Sequence, residues 1–262
     1  MLAAETVQVP LLEVEGLFKG FHKEDGTLEV LQDVFLEVGP GEIIGVVGPS
    51  GCGKSTLFNA LAGLIPIDRG RIRLNGHEVS NIRGQVAYMQ QKDLLLPWRT
   101  ALDNAILGME IQGFKKSRAR KEAMEILKFF GLEGFQDRYP HELSGGMRQR
   151  VALMRTILCR KKILLLDEPF GALDAITRLM LQRWLLRVWM RFRPSILLIT
   201  HDVDEALILA DRIYVMSLRP ATIKRVVPVE LERPRSATEK PLIDRKAELL
   251  RLLEEEIVET GT

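Results

Sequence analysis

The sequence predicts an α/β protein built on a parallel sheet, with an antiparallel β part at its start and a helical segment inserted into it. Three observations carry that expectation. The apolar run Glu42–Gly48 enters a glycine-rich turn and leaves it as a stretch, Ser55–Leu64, with apolar residues spaced near 3.6 positions; strand, loop and helix in that order make one unit of a parallel sheet. Lys162–Leu166 and Ser195–Thr200 are again short apolar runs, separated by the amphipathic stretch Ile176–Phe192, so the same layer resumes. Between Gln91 and Leu158 helical spacing dominates and strand signals are few, which reads as an insert.

Taken along the chain, Leu11–Leu17 and Val30–Val38 alternate apolar and polar residues, with turn residues at Asp25-Gly26 and Gly39-Pro40-Gly41; this is the pattern of antiparallel strands. In the insert, Thr100 with Asp103 suits a capped helix start, and Ser117 suits the cap of a second helix that runs to Phe130 and stops at Gly131. The stripe Leu179, Leu181, Trp184, Leu185, Val188, Trp189 and Phe192 reads as the core face of a helix. After Leu218 come a strand-like run, Thr222–Glu230, and a last helical stretch, Pro241–Val258.

Composition narrows the function. The 262 residues suffice for one large domain or two small ones. With 46% hydrophobic and 27% charged residues, the chain is neither a disordered tail nor a membrane-embedded protein. A formal charge of +2 makes no global electrostatic case for nucleic acid. Cys52 and Cys159 are too few for a disulfide framework, and Met1–Pro10 lacks the basic start and apolar run of a signal peptide. Every apolar run is far shorter than the roughly 20 residues that span a bilayer, so work at a membrane requires docking on a partner that crosses it.

Three segments carry chemistry. Gly48-Pro49-Ser50-Gly51-Cys52-Gly53-Lys54-Ser55-Thr56 is a GxxxxGK[ST] loop placed after a strand and before a helix. A polyphosphate favours backbone N–H groups, a helix N-terminus, a mobile ammonium and a metal; the glycines admit the phosphates, Lys54 reaches the β and γ groups, and Ser55 ligates Mg²⁺. Cys52 supplies a small side chain there, open to alkylation when the site is empty. Ile163–Leu166 runs into Asp167-Glu168-Pro169, which sets two carboxylates at the carboxyl end of a strand, where open α/β sheets bind ligands. Asp167 suits Mg²⁺ through water, and Glu168 suits orienting or deprotonating an attacking water. In Leu143-Ser144-Gly145-Gly146-Met147-Arg148-Gln149-Arg150, Ser144 as a helix cap with glycines behind it offers a second anion site. Since Lys54 already cradles one phosphate, that second site makes sense as part of another copy's nucleotide site.

In this order the segments resemble the ATP-binding subunit of ABC transporters over about residues 11–218. The resemblance implies a P-loop NTPase (RecA-like) core carrying the antiparallel β subdomain and an α-helical subdomain at about 92–158, with 219–262 as a short C-terminal extension. It makes Gly48–Thr56 the Walker A loop, Leu143–Gln149 the signature, Ile163–Glu168 the Walker B strand, Ala172-Leu173-Asp174 the D-loop and His201 the switch histidine. Gln91 takes the Q-loop place and senses metal and water. Phe21 falls where an aromatic stacks on adenine, although a lone Phe on a strand is also a core residue. Two cassettes are implied to close head to tail on ATP, each giving its Ser144 and Gly146 to the γ-phosphate held by the other's Lys54, with Gly145, Gln149 and Asp174 also among the nucleotide-binding residues, while His201 bonds the γ-phosphate or the water beside Glu168. Gln90 and Arg160-Lys161-Lys162 depart from the family pattern without touching the phosphate chemistry.

The segment Gln91-Lys92-Asp93-Leu94-Leu95-Leu96-Pro97-Trp98-Arg99 resembles the Q-loop of nitrate, sulfonate, taurine and thiamine-precursor importers. Leu-Pro-Trp then either receives a short helix of a transmembrane permease subunit or closes the insert's own core. The resemblance implies an ATPase, identical or paralogous cassettes in the pair, a periplasmic or extracellular substrate-binding protein as indirect partner, and a peripheral position on the cytoplasmic face of the cell (inner) membrane. The alternative is a soluble ABC ATPase acting on nucleic acid or ribosomes, which often carries a second cassette or long insertion. A third class is a kinase or GTPase with an accidental Ser144 motif; no guanine-reading Asn-Lys-x-Asp run is present. Lys115–Lys121 is a solvated helix start rather than a nucleic-acid site, and the residues after Leu218 are expected to form no folded sensor domain.

Overall fold

The apolar alternation and the apolar runs become strands, and the 3.6-spaced stretches become helices. The computed structural model describes residues 9–24, 26–171 and 173–258, so Met1–Gln8, Asp25, Ala172 and Glu259–Thr262 lie outside the described residues. In chain order the elements are β1 (Leu12–Lys23), β2 (Gly26–Val38), β3 (Ile43–Val47), α1 (Lys54–Leu61), β4 (Arg69–Leu74), β5 (His77–Glu78), β6 (Ala87–Met89), α2 (Ala101–Ala105), α3 (Leu107–Ile111), α4 (Lys116–Leu127), α5 (Gly145–Leu158), β7 (Ile163–Asp167), α6 (Ala175–Phe192), β8 (Ser195–Ile199), α7 (Val203–Leu209), β9 (Arg212–Met216), β10 (Ile223–Pro228) and α8 (Lys240–Val258). They divide between two units, residues 1–84 with 193–262, and residues 85–192.

In the first unit, an antiparallel sheet runs β2-β1-β4-β5, and strands in the order β10-β9-β3-β8 form a second layer. β3 pairs in parallel with both β8 and β9, and β10 closes against β9 antiparallel. All five residues of β3 and of β8 are buried, as a strand covered on both faces requires. α1 adds Leu57, Phe58 and Leu61 to this core. In the second unit, β6 and β7 pair in parallel, Tyr88 opposite Leu165 and Met89 opposite Leu166. Trp184 of α6 packs edge-on to Phe130, ring centroids 4.8 Å apart, and donates its indole N–H to the Phe129 carbonyl at 2.7 Å, so a large apolar body is buried with its one donor satisfied.

Several boundaries differ from expectation, each for a local reason. Thr100 caps α2 by accepting from the Asp103 N–H, as its spacing predicts. Ser117, however, lies inside α4, which starts one residue earlier after Lys115 and has no side-chain cap; its first turns are pinned instead by Lys116 and Arg120, both on the Asp103 carboxylate. The regular helix ends at Leu127, a 3₁₀ turn covers Lys128–Phe130, and Gly131 stops it at φ 62. On α6 the stripe is core at Leu181, Trp184, Leu185, Val188 and Trp189, but Leu179 and Phe192 are exposed. β4, β5, β6, α7 and β9 carried no clear signal in the sequence. Beyond Leu218, β10 and α8 are part of the first unit; Lys246 of α8 pairs with Asp204 of α7 at 2.6 Å.

Candidate functional site

In the first unit, the loop Gly48–Gly53 leaves β3 and turns into α1. Two glycines are required by geometry. A Cβ on Gly48 would stand 2.8 Å from the Met216 carbonyl oxygen, and Gly53, the residue before α1, has φ +132 with Val30 2.9 Å from where a Cβ would be, a backbone that only glycine adopts freely. Lys54 is buried, and its ammonium donates to the Gly48 and Pro49 carbonyls at 2.8 Å each. Ser50, Gly51 and Ser55 are exposed and Thr56 is half-buried. Cys52 is fully buried, its Sγ 3.8 Å from the Lys54 Nζ, in keeping with a small side chain packed under the loop and with a thiol closed to alkylation in this structure.

His201, exposed, follows β8. The turn that carries it is held tightly: Asp202 caps α7 by accepting from the Asp204 and Glu205 N–H groups, and its own N–H donates to the Thr200 hydroxyl at 3.0 Å. Phe21 on β1 is exposed rather than core, with the Lys19 ammonium 5.4 Å from its ring centre.

The second unit holds the acidic and signature residues. Asp167 ends β7 and is only 4% exposed. Glu168 follows with φ +46, a left-handed backbone that costs a non-glycine residue of order 1 kcal/mol. The Gln91 amide donates to the Glu168 carboxylate at 2.8 Å, so the structure brings these two predicted residues together. Ser144 caps α5, accepting from the Met147 N–H at 3.3 Å; Gly145 and Gly146 form its first turn. Gln149 is buried inside α5, and its Oε1 has no partner among the described residues. Asp174 caps α6 by accepting from the Thr177 N–H at 3.0 Å, and that bond holds its carboxyl below the ordinary carboxylate value. Trp98 is 72% exposed and Leu94 is exposed too, while Leu95 is buried; the Leu-Pro-Trp indole therefore does not close a core.

For Mg²⁺, the donor chemistry fits. In the second unit Asp167 offers a carboxylate and in the first Ser55 offers a hydroxyl; each is a hard oxygen of the kind this cation takes, alongside substrate phosphates and water.

The protein-family model described as ABC transporter matches residues 31–171, more than half of the chain. The chain belongs to the ABC transporter family. It is 44% identical over 220 residues to the aliphatic sulfonates import ATP-binding protein SsuB of Bacillus licheniformis, covering 84% of this chain and 85% of that protein. It is 39% identical over 248 residues to the nitrate import ATP-binding protein NrtD of Synechocystis, covering 93% and 92%. Among solved structures, it resembles the dimeric post-hydrolysis state of the ATP-binding cassette MJ0796 bound to ADP and Pi, with TM-score 0.75, 27% identity, and 84% of this chain and 100% of that one covered.

Two residues of this ABC protein touch the site segments and were not anticipated. Tyr88 donates its hydroxyl to the Asp167 carboxylate at 3.1 Å, and burial first, then the Asp167 charge, pushes the phenol's pKa up. Arg219 donates its Nε to the Gly51 carbonyl at the tip of the phosphate loop. Neither falls in a motif, and their partners lie far off in sequence; the polar tyrosine in the apolar run Val86–Met89 is the one hint for the first.

Proposed function

We propose that this ABC ATPase powers an importer for a small anionic nutrient such as a sulfonate, taurine or nitrate, through ATP-driven closure of two cassettes head to tail. The observation that carries the chemistry is the Gln91–Glu168 hydrogen bond beside the buried Asp167. In this reading Lys54 exchanges its loop carbonyls for the β- and γ-phosphate oxygens. The N–H groups of Gly51–Thr56 and the α1 N-terminus take the remaining phosphate charge. Ser55 and Asp167 would hold Mg²⁺ and Gln91 would sense it; bound there, the ion would supply neutralisation of phosphate charge. Glu168 accepts the proton of the attacking water, Gln91 orients that carboxylate, and His201 bonds the γ-phosphate or that water. Ser144, Gly145 and Gly146 of a second copy face the same γ-phosphate, with Gln149 and Asp174 supporting that surface, and Phe21 stacks on adenine.

The same reading makes 1–218 the cassette, with about 92–158 its helical subdomain. The exposed Trp98 and Leu94 receive a permease helix. Among the described residues no helix is long and apolar enough to cross a membrane; the position proposed is peripheral, on the cytoplasmic face, with a substrate-binding protein acting on the permease's far side. The similarity to SsuB, an aliphatic sulfonates import ATP-binding protein, and to NrtD, a nitrate import ATP-binding protein, supports the cargo class. Glu168→Gln is expected to leave ATP binding intact, abolish turnover and trap an ATP-dependent dimer, read by size exclusion; normal hydrolysis by that variant would contradict the base assignment. Co-purification with the permease and binding protein, followed by identification of the bound anion, tests the cargo.

A further inference from the structure

We propose that Tyr88 is a positioning residue for the cation-binding carboxylate, holding Asp167 in a fixed plane so that it is presented to Mg²⁺ without rearrangement. The proposal rests on the reading that Asp167 holds Mg²⁺, directly or through water. Tyr88 is the central residue of β6, whose backbone is locked in parallel register to β7 on both sides of it, Ala87 opposite Leu164 and Met89 opposite Leu166. Its hydroxyl reaches the Oδ2 of Asp167, the last residue of β7, at 3.1 Å. In this bond the phenol O–H donates and the carboxylate oxygen accepts. Gln91, just past the same strand, donates to Glu168. One short strand and its exit therefore hold both successive acids, one by a phenol and one by an amide.

A carboxylate that ligates a metal is oriented by its own hydrogen-bond partners, and removing such a partner costs about 10–100-fold in metal affinity. Tyr88→Phe in the full chain removes only the hydroxyl. Mn²⁺ affinity, read by electron paramagnetic resonance with a non-hydrolysable ATP analogue bound, is expected to fall about tenfold or more. The Mg²⁺ concentration for half-maximal ATPase should rise in step. Affinity for a fluorescent ATP in EDTA should stay within about twofold, a split that a merely structural loss does not produce. Unchanged Mn²⁺ affinity, or equal losses with and without metal, would overturn the proposal. Asp167→Asn is measured alongside: if it leaves Mn²⁺ affinity intact, the ligand reading itself fails, whereas a loss in Asp167→Asn with none in Tyr88→Phe sinks the tyrosine's role alone. Should Tyr88→Phe not fold, Tyr88→Met, apolar and adaptable in shape, is judged by the same criteria.

Discussion

Lys54 folds back along its own loop, its ammonium donating to two carbonyl oxygens, which phosphate oxygens replace in the function proposed above. Hydrogen bonds to a charged group contribute roughly 1.5–3 kcal/mol each, so Lys54→Ala is expected to weaken ATP binding about 10–100-fold, measured by equilibrium titration, while the apolar α1 residues keep the fold. Affinity unchanged within twofold would remove Lys54 from the phosphate site. At this scale the sequence was readable wherever a residue's type is dictated by local backbone. Gly48 and Gly53 are demanded by a close carbonyl and by φ +132, and Ser144 caps the helix it precedes. Tyr88 and Arg219 were not readable, because what they do is decided by partners 79 and 168 residues away, a relation that no local pattern encodes.

Among the elements, α7 follows the His201 turn and is held at its far end by a side chain from beyond the strands. Arg235, buried, donates to the carbonyls of Leu207 and Ala210 at the end of α7 and to those of Val229 and Leu231, filling the role of acceptor-satisfying partner that a helix C-terminus needs. Arg235→Ala leaves these carbonyls without that donor and is expected to destabilise the protein by about 2–4 kcal/mol, seen as a lower urea midpoint; Arg235→Lys, with three donors in place of a planar fork, restores little. In the second unit Asp103 anchors α4 through Lys116 and Arg120. Burial pushes its carboxyl up, but those two cations outweigh it and hold the pKa below the ordinary 3.8. A depressed carboxylate stabilises the folded state above its unfolded pKa, and that stabilisation disappears as pH falls through the folded value. Stability below about pH 4 should therefore drop less steeply in Asp103→Asn than in the parent protein; identical acid limbs would contradict the anchor. Buried strands and long amphipathic helices were legible from their periods. β4 was not, because arginines at 69, 71 and 73 surround its one buried residue, Ile72, and Ser117 misled because an ion pair, rather than a cap, starts α4.

For the whole molecule, the formal charge of +2 gives no global electrostatic attraction to a partner, which leaves local surfaces such as the exposed Trp98 to carry the permease docking proposed above. The order of phosphate loop, glutamine, signature, acidic pair and histidine was legible because chain order alone carries it. The pairing of two chains was legible only through the family resemblance, since one chain shows its signature turn engaged in capping α5 and nothing more. Complementation by mixed chains tests that pairing most directly. Lys54→Ala chains lack the phosphate grip and Ser144→Arg chains block the signature turn, so each alone should be inactive; mixed one to one, a pair retains one site built from the intact Lys54 of one chain and the intact Ser144 of the other. ATPase activity recovering to a substantial fraction of the parent rate in the mixture is the predicted result, and a mixture as inactive as its components, with dimers demonstrably formed, would contradict a site shared between two copies.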